Sequence, residues 1–208
     1  MLDRPALTLL APLLHAGARL LRQRGIGADA VTLAGFALGM AAATLIALGR
    51  PLAGLALLLA SRLADGLDGA VARLGQPTDR GAFLDITLDF VFYASVPLAF
   101  ALADPAANAL AAALLLAAFV GTASSFLAFA VLAQRRGLAS LAYPHKGLYY
   151  LGGLTEGFET LAFFVAMCLW PAAFAPLALV FAGLCGLTLL ARLVAGWRSF
   201  AVPTGGGR

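Results

Sequence analysis

Residues 107–133, ANALAAALLLAAFVGTASSFLAFAVLA, carry no ionisable side chain. A helix needs about 20 apolar residues to cross the hydrocarbon core of a bilayer, and this run exceeds that. Five further apolar runs long enough to span fall at about 30–49, 52–73, 81–103, 148–170 and 172–196. Transmembrane barrels alternate apolar and polar positions in segments of about ten residues, whereas these runs are continuous. The expectation is therefore an all-α integral membrane protein with six transmembrane helices. Composition agrees, because 62% hydrophobic and 12% charged residues lie far from the roughly half and quarter of a soluble domain.

The net charge of +4 would suit a nucleic-acid partner, but the cations are sorted by connection instead. Arg4, Arg19, Arg22 and Arg24 precede the first run, and Arg73 and Arg80 flank the link between the second and third. Arg135, Arg136 and Lys146 lie between the fourth and fifth, and Arg198 and Arg208 follow the sixth. The opposite connections carry Arg50 and no other cation. Positive residues mark the cytoplasmic side. The reading is a multi-pass protein of the cell (inner) membrane with both termini cytoplasmic and no nucleic-acid partner.

The opening LDRPALTLLAPLLHAGARLLRQRGIGADA lacks the basic start, apolar block and cleavage site of a signal peptide in their usual order. Its Leu, Ala and Arg recur at helical spacing up to Gly25 and Gly27, which reads either as an amphipathic interfacial helix or as a simple juxtamembrane anchor. Residues 1–27 are thus expected to form an amphipathic segment, 28–197 the six-helix domain and 198–208 a flexible tail. His15 falls in the first segment as an interfacial residue. Cys168 and Cys185 differ in depth and read as small apolar packing residues, not as a disulfide.

Five of the ten acidic residues sit in SRLADGLDGAVARLGQPTDRGAFLDITLDF, residues 61–90. Ionisable groups inside a membrane are expected to face a bundle interior or a wet cavity and to mark function. Asp65, Asp68, Gly69 and Ala72 share one face of a helix by their spacing, and so do Gly81, Asp85 and Asp89. At 1.5 Å per residue, Asp68 and Asp85 lie roughly 6–7 Å from the cytoplasmic ends of their helices, and Asp65 and Asp89 roughly 12 Å. Asp68 is therefore expected to face Asp85, and Asp65 to face Asp89. Two carboxylates about 4 Å apart repel by about 4 kcal/mol at an effective dielectric near 20, so either some are protonated or cations are bound. Oxygen-only donors favour Mg²⁺, Mn²⁺ or Ca²⁺ over zinc, and four carboxylates can serve one or two ions. Gly69 and Gly81 read as either ordinary helix packing or room for a substrate. Arg73 reads as a positive-inside anchor or as a phosphate ligand.

These residues resemble the pattern of the CDP-alcohol phosphatidyltransferase family: Asp65, Asp68-Gly69, Ala72-Arg73, then after residues 74–80 Gly81, Asp85 and Asp89. Every fixed position is filled, and Asp79 lies outside the pattern as a loop or cap residue. The resemblance implies transfer of a phosphatidyl group from CDP-diacylglycerol to an alcohol with release of CMP, in phospholipid biosynthesis, by a homodimer among membrane lipids. It implies that Asp65, Asp68 and Asp85 hold Mg²⁺ or Mn²⁺. Asp89 would be the general base and could also touch a second ion, while Gly69, Arg73 and Gly81 would line the nucleotide and phosphate pocket. Where the family opens its first span with Pro-Asn, two residues and Thr, this chain has ADAVT. Thr32 is kept as a nucleotide contact, and Asp29 stands in place of Asn, readable as a helix cap.

For the alcohol acceptor the candidates are Arg135, Lys146 beside His145, and Glu156. Glu156 and Glu159 share a face of the fifth run and read either as acceptor ligands or as ion-pair partners of Arg62 and Arg192. The stretch HKGLYY departs from what glycerophosphate-using members carry after the lysine. Two other classes remain: a proton- or cation-coupled transporter, and a catalytically silent membrane scaffold.

Overall fold

A computed structural model of the chain describes residues 3–136 and 155–201, with side chains from residue 11 onward. The described residues form α1 (Asp3–Gln23), α2 (Ala28–Ala47), α3 (Pro51–Leu74), α4 (Asp79–Ala103), α5 (Pro105–Arg135), α6 (Gly157–Leu169) and α7 (Phe174–Ser199), with a turn of 3-10 helix at Pro171–Ala173. No strand occurs among them.

Local chemistry sets the breaks between helices. Gly25 and Gly49 take φ of 76° and 72°, the left-handed region open to glycine, and end α1 and α2. Pro51 and Pro105 open α3 and α5, where the missing N–H costs nothing. The Thr78 hydroxyl accepts from the Gly81 amide to cap α4. Asp104 alone joins α4 to α5, and its carboxylate accepts from the Ala107 amide at 3.1 Å.

Among the described residues, four helical segments are long and apolar enough to cross a membrane: α2, α4, α5 and Pro171–Ser199, which contains α7. The six expected spans meet two complications. α3 is long, but its interior holds Arg62, Asp65 and Asp68. The run expected at 148–170 is helical only over Gly157–Leu169, with Thr155 and Glu156 non-helical and 148–154 outside the described residues.

α2 packs against α3 and α4, α5 against α7 and α4, and α3 against α6. Small residues allow the closest approaches, as is usual where membrane helices meet. Gly35 lies against Ala64, Gly54 against Ile46, and Gly39 against Phe92 and Ser61. Around Phe92 the core holds Val96, Phe100, Phe164, Phe174 and Phe181, with Cys168 and Cys185 as buried free thiols. α1 lies on α3, burying Leu14 and Ala18 against Ala70 and Val71 and leaving His15 exposed.

Glycine-to-alanine substitution raises helix propensity equally at any mid-helix position, by up to about 1 kcal/mol. At Gly39 the new methyl would lie 2.5 Å from a Phe92 ring carbon, whereas at Gly183 it would meet nothing within 4 Å. Gly39→Ala is expected to destabilise by about 1–3 kcal/mol through overpacking, and Gly183→Ala to be neutral or stabilising. Thermal unfolding in detergent checks the pair.

Candidate active site

α3 and α4 run antiparallel, joined by residues 75–78. Their facing turns bring the expected carboxylates together. One oxygen each from Asp65, Asp68 and Asp85 lies within 4.8 Å of the other two. Asp68 is the deepest of the three at 5% exposure, Asp65 is half-buried and Asp85 is exposed. Two ligands on opposite sides of a divalent ion with oxygen bonds of about 2.0–2.6 Å are separated by about 4–5 Å. The spread and the all-oxygen donor set therefore fit one hard cation, held by Asp65, Asp68 and Asp85.

Thr32, from α2, supports the deepest of these ligands. Its Oγ1 lies 2.6 Å from Asp68 Oδ2 and 3.0 Å from the Ala28 carbonyl oxygen. Its hydroxyl thus aims Asp68, a role that the expected nucleotide contact did not include.

Asp89 stands apart from the other three. Its Oδ1 accepts from Arg62 Nη1 at 2.8 Å, and the same nitrogen is 3.6 Å from Asp65 Oδ1. The expected ion pairing of Arg62 with the glutamates of the fifth run is corrected here: Arg62 pairs within the carboxylate cluster. Arg62 is one turn before Asp65, so helical spacing alone puts it on that face. All four aspartates line one small cavity with Thr32, Ser61 and Arg62.

The glycines and the arginine of the pattern take definite places. A methyl on Gly69 would lie 3.3 Å from Arg73 Nη1, so the exposed Arg73 side chain folds beside Gly69. A methyl on Gly81 would lie 3.2 Å from both Asp29 Oδ1 and Thr78 Oγ1. Asp29 is not the cap of α2, since Gly27 holds that position. It sits in the first turn and pairs with Arg80 at the start of α4. Asp79 is exposed in the first turn of α4.

On the acceptor side, Glu156 is the N-cap of α6 and forms a reciprocal capping box with Glu159, whose carboxylate accepts from the Glu156 amide at 3.1 Å. These glutamates therefore begin a helix; the expected placement within a longer one is corrected. Glu156 and Arg192 line a separate cavity of about 470 Å³ among α4–α7, its walls mostly apolar. Arg192 donates to the Thr122 carbonyl at 2.9 Å. Arg135 is exposed in the last turn of α5, while His145 and Lys146 lie outside the described residues.

An all-helical bundle with apolar helices and a cation-competent carboxylate cluster between two of them defines a membrane protein with polar chemistry built into its core. Residues 26–197 match the family model for CDP-alcohol phosphatidyltransferase, and the chain belongs to that family of transferases. It is 53% identical to inner membrane protein YnjF of Escherichia coli strain K12 over 95% of this chain and 96% of that protein. A shorter match, 52% identical, is to archaetidylinositol phosphate synthase of Methanothermobacter thermautotrophicus, over 30% of this chain and 32% of that one. The fold is similar to crystal structures of Mycobacterium tuberculosis phosphatidylinositol phosphate synthase. The one with CDP-DAG bound has a TM-score of 0.75 at 24% identity and covers 94% of this chain and 100% of that chain. The one in complex with manganese and citrate has a TM-score of 0.74 at 24% identity and covers 93% of each chain.

Partners that orient metal ligands typically affect affinity by about 10- to 100-fold. Thr32→Val is expected to weaken divalent-cation binding within that range, while Thr32→Ser, which keeps the hydroxyl, stays close to wild type. A Mn²⁺ titration of the purified variants reads the difference.

Proposed function

We propose that the chain is an integral-membrane, metal-dependent phosphatidyltransferase that moves a phosphatidyl group from CDP-diacylglycerol to an alcohol and releases CMP, serving phospholipid biosynthesis. The observation that carries this reading is the convergence of Asp65, Asp68 and Asp85 beside Asp89 in a chain of this family. When bound at the three carboxylates, Mg²⁺ or Mn²⁺ supplies polarisation of the pyrophosphate and neutralises charge on the departing CMP.

The remaining work falls to side chains. Asp89 takes the proton of the acceptor hydroxyl; the oxygen bonds to the phosphatidyl phosphorus and the bond to CMP breaks. Arg62 keeps Asp89 in place for that transfer. Thr32 aims Asp68, and Gly69, Arg73 and Gly81 border the nucleotide and its phosphates, a role supported by the exposed Arg73 guanidinium beside Gly69. Arg135, Lys146 and Glu156 form the acceptor side, a role supported for Glu156 by its place with Arg192 on the larger cavity.

The same reading takes 28–197 as the catalytic domain, with six spans, an interfacial α1, and both termini and the α3–α4 link on the cytoplasmic face of the inner membrane. The distribution of Lys and Arg supports the orientation. The printed name of the Escherichia coli relative supports the membrane. A homodimer completes it, as the family resemblance implies.

The test is incubation of purified protein with CDP-diacylglycerol, Mg²⁺ or Mn²⁺ and a panel of glycerol 3-phosphate, serine, inositol, inositol phosphate and phosphatidylglycerol. CMP and a new phospholipid are expected with one acceptor, and Asp89→Asn is expected to lower the rate by about 10²- to 10⁴-fold, the range for a lost general base. Mass spectrometry reads both products. No CMP with any acceptor sinks the reading, and cation flux through proteoliposomes would then favour transport.

A further inference from the structure

The cavity among α4–α7 begins beside Asp89. Phe90 follows that aspartate in α4 and Tyr93 lies one turn on, and both line the cavity. The Tyr93 ring centroid is 5.4 Å from the Arg62 guanidinium carbon, and the same guanidinium donates to Asp89 at 2.8 Å. Thr32, Gly69, Arg73 and Gly81, the residues around the nucleotide in the transferase reading, stand instead on α2, α3 and the first turn of α4. At about 470 Å³ the cavity falls within the roughly 300–1,000 Å³ of small-molecule pockets.

Polar and apolar groups are sorted along its length. The C-terminal ends of α5 and α7 lie together, where Arg136 donates to the Ser199 and Phe200 carbonyls at 3.3 and 3.1 Å. α4 begins at that same end, because Asp104 alone turns it into α5. At 1.5 Å per residue, Arg192 lies roughly 10 Å from this end and Asp89 roughly 15 Å. Thr155 joins the same layer, its hydroxyl 2.9 Å from that of Thr188 on α7, and Glu156 follows it. Farther in, roughly 21–29 Å from the end, the walls are Ala94, Leu116, Ala117, Phe119, Val120 and Cys185. The Thr122 and Thr160 hydroxyls between the two layers donate to carbonyls of their own turns, at Phe119 and Glu156. A hydroxyl of a bound molecule would lose its water at the inner end, at a cost of about 1–3 kcal/mol when left without a partner. A hydrocarbon chain there gains from leaving water.

Attacking and leaving oxygens stand roughly in line at a transferred phosphorus. An alcohol that gives its proton to Asp89 therefore arrives from the side opposite the nucleotide, which is the side of this cavity. We infer that the acceptor is itself a lipid: an alcohol whose hydroxyl reaches Asp89 from the polar end of the cavity while its hydrocarbon tail fills the apolar end. The hydroxyl oxygen bonds to the phosphatidyl phosphorus, its proton passes to Asp89 and the bond to CMP breaks. The product is a phosphodiester with hydrocarbon on both sides. The inference rests on the transferase reading of the site and goes further by naming the class of acceptor.

Purified full-length protein with Mn²⁺ and CDP-diacylglycerol is given two lipid alcohols, 1-monoacylglycerol and phosphatidylglycerol, beside their water-soluble counterparts, glycerol and glycerophosphoglycerol. One lipid alcohol is expected to release CMP, with its counterpart more than about 100-fold lower in kcat/KM, since one methylene group alone is worth about 10- to 200-fold. The arm that reacts tells a neutral head group from a phosphodiester. Ala117 is exposed at the apolar end, so Ala117→Trp narrows the cavity without crowding the core. It is expected to raise KM for the lipid alcohol about 10-fold and to leave KM for CDP-diacylglycerol unchanged. A readout without turnover comes from the two lipid alcohols carrying a diazirine at the tail end. The one that reacts is expected to label residues 116–123 of α5, with protection by its unlabelled form and none by CDP-diacylglycerol. CMP released only with a water-soluble alcohol removes the inference and keeps the transferase. Protection by CDP-diacylglycerol, or a rise in its KM in Ala117→Trp, gives the cavity to the donor's acyl chain and also overturns the inference. No CMP with any of these alcohols, nor with serine, inositol or inositol phosphate, removes the transferase and the acceptor with it.

Discussion

An ionised side chain at the centre of a membrane helix raises its insertion free energy by about 2.5–3.5 kcal/mol, and α3 and α4 carry Asp65, Asp68, Asp85 and Asp89 beyond their first turns. The contact between Arg62 and Asp89 is what makes that density tolerable. It joins the two helices through an ion pair at 2.8 Å and touches Asp65 with the same nitrogen. The guanidinium stays there because Phe92 lies beneath it, and Phe92 reaches that position only because Gly39 of α2 has no side chain to oppose the ring. A glycine on one helix, a ring on a second and a cation on a third thus form one unit.

The same three helices organise the rest of the cluster. α2 brings Thr32 to the buried Asp68 and, nearer the helix start, Asp29 to Arg80. Gly81 leaves the space in which Asp29 and Thr78 approach the first turn of α4. What reads along the chain as an isolated acidic pattern is, in three dimensions, a lattice of partners drawn from α2, α3 and α4. Such a lattice holds one oxygen each from Asp65, Asp68 and Asp85 within 4.8 Å of one another, a separation that suits a hard divalent ion.

Much of this was legible in the sequence. Helical spacing on two consecutive apolar runs was enough to bring Asp65, Asp68 and Asp85 together, because a short link between antiparallel helices fixes relative depth. Gly25 likewise announced the end of α1. Arg62 was equally visible, one turn from Asp65, yet its partner was not, since several carboxylates lay within reach of a long side chain and spacing does not choose among them. Glu156 and Glu159 illustrate a different difficulty. Three-residue spacing fits both a shared helix face and a reciprocal cap, and only the non-helical backbone of Glu156 distinguishes the two.

The sequence by itself determined the membrane class, the helical architecture and the identity of the carboxylate cluster, because apolar run length and helical period are local properties of a chain. Tertiary structure decided which partner each charge took: Thr32 for Asp68, Arg62 for Asp89, Arg80 for Asp29. Those choices depend on which helix is packed behind which, through close approaches such as Gly39 on Phe92. A close approach between helices far apart in the chain has no period from which it could be read.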